Sequence, residues 1–262
     1  MEEMQEIAGQ AISPDGMKNN RKNNTIKSRI EIIDALRGIA VTLMVIHHAL
    51  YNMAAFLDAP WWLYRNPVFN VLQAFFIGLF IVISGVSSRF SRGNVERGSI
   101  VIVIAVIITY VTYRMDMPIT FGILHLLGFL MIFYGLTRKL WDRIPGKIAP
   151  VLYVSLVVIS ALARVFLSPS SNNAVISDIL SVLGWRQPGF VSFDYQTILP
   201  WIFVFLFGTW AGEYIREGKF PAWFYKMKVP FFPLIGRNAL LVYILHQPVL
   251  FGITMVIAHF IA

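Results

Sequence analysis

The sequence contains no cysteine, which excludes disulfides, thiol nucleophiles and cysteine-ligated metal sites. Charged residues are also scarce, at 14% of 262 residues, whereas 57% of the residues are hydrophobic. A typical soluble domain carries about 25% charged residues. The apolar residues here form long runs of the length that crosses a bilayer, so we expect an integral membrane protein without a sizeable soluble domain.

About seven apolar runs predict an all-α fold, a polytopic integral membrane helix bundle. The predicted helices span residues 30–53, 68–90, 99–114, 119–138, 147–167, 196–215 and 236–261. The turn at 114–118 is very short, so the third and fourth helices should be antiparallel neighbours. The longest outer segment, 168–195, contains the apolar stretch AVISDILSVLGW, which predicts a short helix on the surface.

Residues 1–28 are polar and basic and predict a disordered cytoplasmic tail ahead of a transmembrane domain at 29–262. With the tail inside, sixteen basic residues fall in inner segments and four in outer ones. This bias predicts a cytoplasmic N-terminus and an extracytoplasmic C-terminus in a multi-pass plasma-membrane protein. The net charge of +8 is explained by this topology, so we predict no nucleic-acid partner.

Ionisable residues inside a membrane span are costly, so they are usually paired or functional. Asp34 and Arg37 lie three residues apart near the inner end of the first helix and can form an ion pair. His48 follows Arg37 by eleven residues, about 16 Å along a helix. Because His47 and His48 point about 100° apart, we expect them not to face one pocket together.

Further polar residues lie toward the outer side. His125 and His246 are predicted at a depth similar to that of His48, and Gln247 follows His246. Asp194 is placed at the outer start of the sixth helix, where it can cap free backbone N–H groups. Each residue also has a purely structural interpretation, as a packed imidazole or a helix cap.

The inner end of the second helix carries Arg89 and Arg92 beside Ser87. Two guanidinium groups next to hydroxyl groups can hold a phosphate, although basic residues at this end also serve as ordinary inner-side anchors. A histidine base above a phosphate-binding rim indicates acyl transfer from a cytosolic carrier to an acceptor on the outer side. A small proton-coupled transporter would use the same buried His and Asp residues, and a structural membrane subunit is a third possibility.

The stretch RIEIIDALRGIAVTLMVIHHALYNM resembles the first helix of the transmembrane acyltransferase superfamily, in which a histidine lies fourteen positions after an aspartate. Asp34 and His48 have this spacing. Four further stretches, FFIGLFIVISGVSSRFSRG, ITFGILHLLGFLMIFYGL, FDYQTILPWIFVFLFGTWAGE and ALLVYILHQPVL, are similar to the bacterial branch of the heparan-α-glucosaminide N-acetyltransferase catalytic-domain family. The resemblance covers about residues 29–255.

This resemblance implies a membrane enzyme that uses acetyl-CoA as cytosolic donor, no metal, and an extracytoplasmic sugar amine or hydroxyl, on a small molecule or glycan, as acceptor. It implies a catalytic group of His48, Asp34 and Arg37. The implied acceptor side holds His125, Asp194, His246 and Gln247, and the implied acetyl-CoA site holds Arg89, Arg92 and Ser87. The choice between an acetyl-histidine intermediate and direct transfer stays open, as does the oligomeric state, a homodimer included.

Overall fold

The computed structural model describes residues 29–261, and every regular element in that range is a helix. The predicted disordered tail, residues 1–28, lies outside the described residues. The long helices are α1 (Glu31–Phe56), α2 (Pro67–Phe90), α3 (Asn94–Arg114), α4 (Ile123–Trp141), α5 (Ala149–Phe166), α7 (Trp201–Arg216) and α10 (Ala239–Ile261). The short elements are a 3-10 turn at Trp61–Leu63 and the helices α6 (Ala174–Leu183), α8 (Ala222–Lys226) and α9 (Phe232–Arg237).

Helices α1 to α5 and α10 are long and apolar enough to cross a membrane. This confirms the predicted polytopic membrane bundle. The other predicted span is α7, whose 16 residues extend only about 24 Å. Helix α7 still passes through the bundle, because it runs parallel to α2 from Trp201, beside Gly78, to Gly212, beside Arg89. We call the end of the bundle at which α1 begins the inner end, and the opposite end the outer end.

A close helix contact joins α2 to α7 through glycines. A Cβ atom added to Gly85 would overlap the carbonyl oxygen of Phe205, and one added to Gly208 would overlap that of Val82. Small residues at such crossings let two backbones approach until their surfaces pack closely, which is a main source of stability between helices in lipid. Gly85 and Gly208 therefore fix how α7 lies against α2.

Helices α3 and α4 pack against each other, as the short turn between them predicts. Gly98 of α3 lies against Gly128 of α4, again without room for a side chain. The main apolar core forms inside α2, α4, α5 and α7, where Ile81, Tyr134 and Phe205 are fully buried. This core separates a cavity toward the outer end of the bundle from a second one at the inner end.

The outer segment before α7 is not helical where helix was predicted. The predicted sixth helix begins at residue 196, whereas α7 begins at Trp201. The reason lies in the backbone hydrogen bonds. The N–H of Gln196 donates to the carbonyl oxygen of Phe121, and the N–H groups of Ile198 and Leu199 donate to carbonyl oxygens at the end of α6. The predicted short helix within this segment is confirmed as α6. The segment is thereby held across the outer end of α4.

At the inner end, α9 packs directly on α1. Gly236 lies against the backbone of Asp34, and Gly38 lies against the carbonyl oxygen of Phe232. This contact brings Arg237, at the end of α9, beside the first turns of α1. From α9 the chain enters α10, which runs outward beside α1, and Gln247 of α10 reaches His48.

Candidate active site

A cavity of about 70 Å³ lies between α1 and α2, toward the outer end of the bundle. One wall is a face of α1 that includes Val41, Met44 and His48. The segment before α7 supplies Asp194 to the same cavity. Its polar lining consists of His47, His48, Tyr64, Gln73, Asp194 and Gln196. Two imidazoles and a carboxylate thus line one partly open cavity at the outer end of the bundle.

His48 is held by Gln247, whose side-chain nitrogen lies 3.0 Å from Nδ1 of His48. The two ends of a glutamine amide have nearly the same shape, so this contact has two chemical forms. With the amide nitrogen on Nδ1, the neutral imidazole carries its proton on Nε2. With the amide oxygen on Nδ1, the proton is on Nδ1 and Nε2 keeps a free lone pair. Only the second form makes Nε2 a base.

His246 lies beside His48, with 5.0 Å between the ring centroids. Its Nδ1 lies 2.5 Å from the backbone oxygen of Tyr243. A carbonyl oxygen can only accept, so Nδ1 must carry the proton and Nε2 must hold the lone pair. His246 is 8% exposed, and its Nε2 is buried without a partner among the described residues. An unpaired acceptor in a buried position is costly unless a ligand or water occupies it.

Asp194 is fixed by two donors on one oxygen. The Tyr243 hydroxyl donates to Oδ2 at 2.7 Å, and the backbone N–H of Ile123 donates to the same atom at 3.3 Å. Ile123 is the first residue of α4, so Asp194 caps α4. The sequence had predicted that it would cap the sixth helix instead. The displacement follows from the non-helical path of residues 192–200. Fixing one oxygen leaves the rest of the carboxylate facing the cavity.

His125 lies at the outer start of α4 but does not line the cavity. Its Nδ1 accepts from the Gly122 N–H at 3.3 Å, and its Nε2 lies 3.2 Å from the Thr109 hydroxyl. That hydroxyl donates to the backbone oxygen of Ile119, so it accepts from His125. Both ring nitrogens are therefore engaged: Nδ1 at the N-terminal end of α4 itself, and Nε2 in a contact that joins α4 to α3. A role for His125 on the acceptor side remains a prediction.

His47 also lines the cavity, contrary to the expectation that adjacent histidines would not share one pocket. Its ring packs against Tyr64 at 4.8 Å and Phe76 at 5.9 Å between centroids. The cavity accommodates both rings because it follows the groove between α1 and α2 and is not confined to one face of α1. Burial raises the pKa of Tyr64, so its phenol stays protonated and can donate a hydrogen bond.

At the inner end of the same groove, Asp34 is the centre of an ion-pair cluster. Arg37 contacts it at 3.0 Å, Arg29 at 2.5 Å and Arg237 at 3.5 Å. The predicted Asp34–Arg37 pair is therefore present, with two additional arginines. Arg37 also hydrogen-bonds the hydroxyl of Ser87. Hydrogen bonding to Asp34 raises the pKa of Arg29 above its ordinary value.

The structure separates the three residues predicted to bind the acetyl-CoA phosphates. Ser87 faces Arg37, whereas Arg89 is paired with both Asp142 and Glu213 and hydrogen-bonds Tyr134. Arg92 is exposed beyond the end of α2. Arg89 lines a second cavity of about 410 Å³ at the inner end, between α4, α5 and α7. Two carboxylates therefore already engage the Arg89 guanidinium.

No functional role was predicted from the sequence for Tyr243, Gln73 or Arg237. Tyr243 lies three residues before His246, at a spacing that places both on one face of a helix, so this pair offered a signal. Arg237 could have been noticed for a different reason, because it is a charged residue at the start of the last apolar run. Gln73 carries no pattern beyond being an amide within an apolar helix.

Among protein families, the model described as "Heparan-alpha-glucosaminide N-acetyltransferase, catalytic" matches residues 29–248. No curated protein matches the chain, and no solved structure does. The matched range contains both ends of the groove, from Arg29 and Asp34 at the inner end to His246 and Gln247 in α10. The resemblance to the bacterial branch in particular stays a prediction. The match covers most of the chain, and the protein therefore belongs to the heparan-α-glucosaminide N-acetyltransferase catalytic-domain family, whose members are acetyltransferase-type membrane enzymes.

Proposed function

We propose that the protein transfers an acetyl group from cytosolic acetyl-CoA to a hydroxyl or amine of a sugar on the other side of the membrane. The observation that carries this proposal is the outer cavity, in which His48 and Asp194 meet and His246 lies directly beside His48. Family membership supplies the reaction class, and the cavity supplies a base and an aligned carboxylate within it. The sugar acceptor and the acetyl-CoA donor are inferred from the family.

His48 is the proposed base. With the Gln247 amide oxygen on Nδ1–H, its Nε2 removes the proton from the acceptor hydroxyl or amine as that atom attacks the acetyl carbonyl. The bond from the carbonyl carbon to sulfur breaks, and the departing thiolate takes the proton from His48. The products are the acetylated sugar and CoA with a free thiol, so atoms and charge balance without an added reagent.

The neighbouring groups position the acceptor. The fixed Nε2 lone pair of His246 can accept a hydrogen bond from a second acceptor hydroxyl. Asp194, held by Tyr243, can accept another. A sugar presents several hydroxyl groups within a few ångströms of one another, so a site with several acceptors suits it better than a simple alcohol. Polar groups that a substrate must satisfy are a strong source of selectivity.

The arrangement in the membrane follows from the charge bias. With the inner end in the cytosol, the basic ends of the helices lie inside and the outer cavity opens toward the extracytoplasmic face of the plasma membrane. Because α1 starts at the inner end and α10 runs outward, the proposed orientation has the N-terminus inside and the C-terminus outside. Because the chain has no cysteine, a single cysteine added at either terminus can be labelled with a membrane-impermeant reagent to determine its side.

The proposal predicts that His48→Ala abolishes transfer while the protein still inserts and folds. General-base removal costs about 10²- to 10⁴-fold in rate. Transfer is measured as thiol release from acetyl-CoA with glucosamine as acceptor, and the absence of cysteine removes the protein's own thiol background. His259→Ala is the matched control, because His259 is exposed near the outer end of α10. Wild-type turnover in His48→Ala would show that His48 is not the base.

A further inference from the structure

The inner ion-pair cluster consists of Arg29, Arg37, Arg237 and Asp34, and its charges do not cancel. Three guanidinium groups surround one carboxylate, which leaves two positive charges in excess. Asp34 is buried beneath the arginines, with a side chain 5% exposed. The side chains of Arg29 and Arg237 are 60% and 43% exposed. The carboxylate therefore holds the arginines in place while the outer N–H groups of Arg29 and Arg237 face solvent.

Such an arrangement has the properties of an oxyanion site. Arginine presents several N–H donors in a plane and pairs with phosphate through two parallel hydrogen bonds. Within the described residues, the side chain of Arg237 makes an ion pair with Asp34 but no hydrogen bond. Its donors are therefore available to a ligand. The Ser87 hydroxyl lies beside Arg37 at the same place.

The cluster also lies at the right place relative to the reacting groups. Arg37 is one helical turn from Val41, which forms part of the wall of the outer cavity. Arg37 and His48 lie on nearly the same face of α1, about 16 Å apart along its axis. Both face the groove between α1 and α2. An elongated molecule held at the cluster by its phosphate would thus extend along this groove toward His48.

The second inner cavity is less well placed for that purpose. Its arginine, Arg89, already pairs with Asp142 and Glu213. Tyr134 and Phe205, both fully buried, stand between this cavity and the outer one. A donor bound there could not reach His48 without displacing the core. The predicted acetyl-CoA contacts of Arg89 and Arg92 are therefore the weaker alternative.

We propose that Arg29, Arg37 and Arg237 bind the phosphate groups of the acyl donor, with Asp34 as the residue that positions them. This inference rests on the proposed function and specifies where its donor binds. The shared chemistry is a phosphate oxyanion, which an anionic lipid headgroup also carries. The experiment below separates these two sources.

The test is a titration of the full-length protein with acetyl-CoA in nanodiscs of phosphatidylcholine. Arg29→Gln and Arg237→Gln each remove one exposed charge and leave Asp34 with two partners, so folding should persist and is checked by the thermal midpoint. Each should weaken acetyl-CoA binding about tenfold, as expected for loss of a hydrogen bond to a charged group. Arg97→Gln is the control, because Arg97 is also exposed at the inner end but lies outside the cluster. It should bind as wild type does.

The outcomes distinguish the two proposals. If wild type binds acetyl-CoA and both cluster variants bind it equally tightly, the inference is wrong and the acetyltransferase proposal stands. If the variants lose binding but wild type transfers acetyl to no sugar, the inference is supported and the proposed function is wrong. If well-folded wild type does not bind acetyl-CoA, both fail.

The lipid alternative has its own readout. Wild type and variants are purified from membranes containing phosphatidylglycerol, and the lipid that remains bound is quantified. Loss of this lipid from the variants, with acetyl-CoA affinity unchanged, would assign the cluster to a lipid headgroup and overturn the inference. Equal lipid retention with weakened acetyl-CoA binding supports it.

Discussion

Replacing Asp34 with asparagine should destabilise the protein strongly, because it keeps the shape of the side chain and removes its charge. The Arg37 side chain is only 17% exposed, so it would be left as a buried cation without its carboxylate partner. Breaking a buried ion pair on one side costs about 3–5 kcal/mol. Arg29 and Arg237 are more exposed and water would largely replace their pairing, so they should add little.

We therefore expect a loss near the lower limit, about 3 kcal/mol, because asparagine retains one hydrogen-bond acceptor. For a chain of this size this corresponds to a fall of about 6–12 °C in the thermal midpoint. The measurement is thermal unfolding of the detergent-purified protein. Glu31→Gln is the matched control: it removes the same charge one turn earlier on α1, where the described residues contain no ion pair to Glu31.

A second arm tests the cause of the loss. The double variant Asp34→Leu/Arg37→Leu removes both charges and should recover much of the stability, since an apolar pair can replace a buried ion pair at little cost. If Asp34→Asn unfolds at the same temperature as Glu31→Gln, the cluster does not stabilise the inner end, and the reasoning from burial is wrong.

Two further predictions concern the acceptor side and the helix packing. Gln247→Leu should lower kcat about tenfold or more at unchanged KM for acetyl-CoA, because it frees the His48 ring without touching the donor site. Gln247→Glu should keep more activity, since a carboxylate still accepts a hydrogen bond from Nδ1–H of His48. Equal kcat in wild type and both variants would show that Gln247 has no part in the mechanism. Gly208→Leu should abolish folding or lower the thermal midpoint sharply, because the new side chain would overlap the backbone of α2 at Val82. Gly252→Leu is the control and should be tolerated, since no atom lies within 4 Å of a Cβ atom added there. A Gly208→Leu protein as stable as Gly252→Leu would contradict the close α2–α7 contact.

The membrane class and most of the helix positions could be predicted because long apolar runs have few alternatives in water or in lipid. The Asp34–Arg37 pair and the proximity of His48 to His246 and Gln247 also follow from spacing and depth. The expected start of the sixth helix at residue 196 was wrong because backbone hydrogen bonds to Phe121 and to the end of α6 hold residues 196–199 in a non-helical path. Apolar composition cannot distinguish such an extended segment from a helical turn.

Other features depend on contacts far apart in the sequence. Arg237 is 200 residues or more from Arg29 and Asp34, and only the glycine contact between α9 and α1 brings it to them. The pairing of Arg89 with Asp142 and Glu213 likewise joins α2 and α7 to the residue that follows α4. A sequence shows that such charges exist but not which ones meet, so the predicted donor site could not distinguish an engaged arginine from an available one.

Because one uninterrupted helix carries both the inner arginine and the outer histidine, the spacing between the two chemical ends of the groove is set by a residue count. Inserting a single residue between Arg37 and His48 would lengthen α1 by only about 1.5 Å but rotate one end by about 100° relative to the other. The histidine would then face away from Gln247 while the arginine still held Asp34. The first helix therefore fixes the distance and the relative orientation of the two ends of the groove. An insertion or deletion between Arg37 and His48 should disturb the site more than a substitution of an intervening residue that keeps the helix.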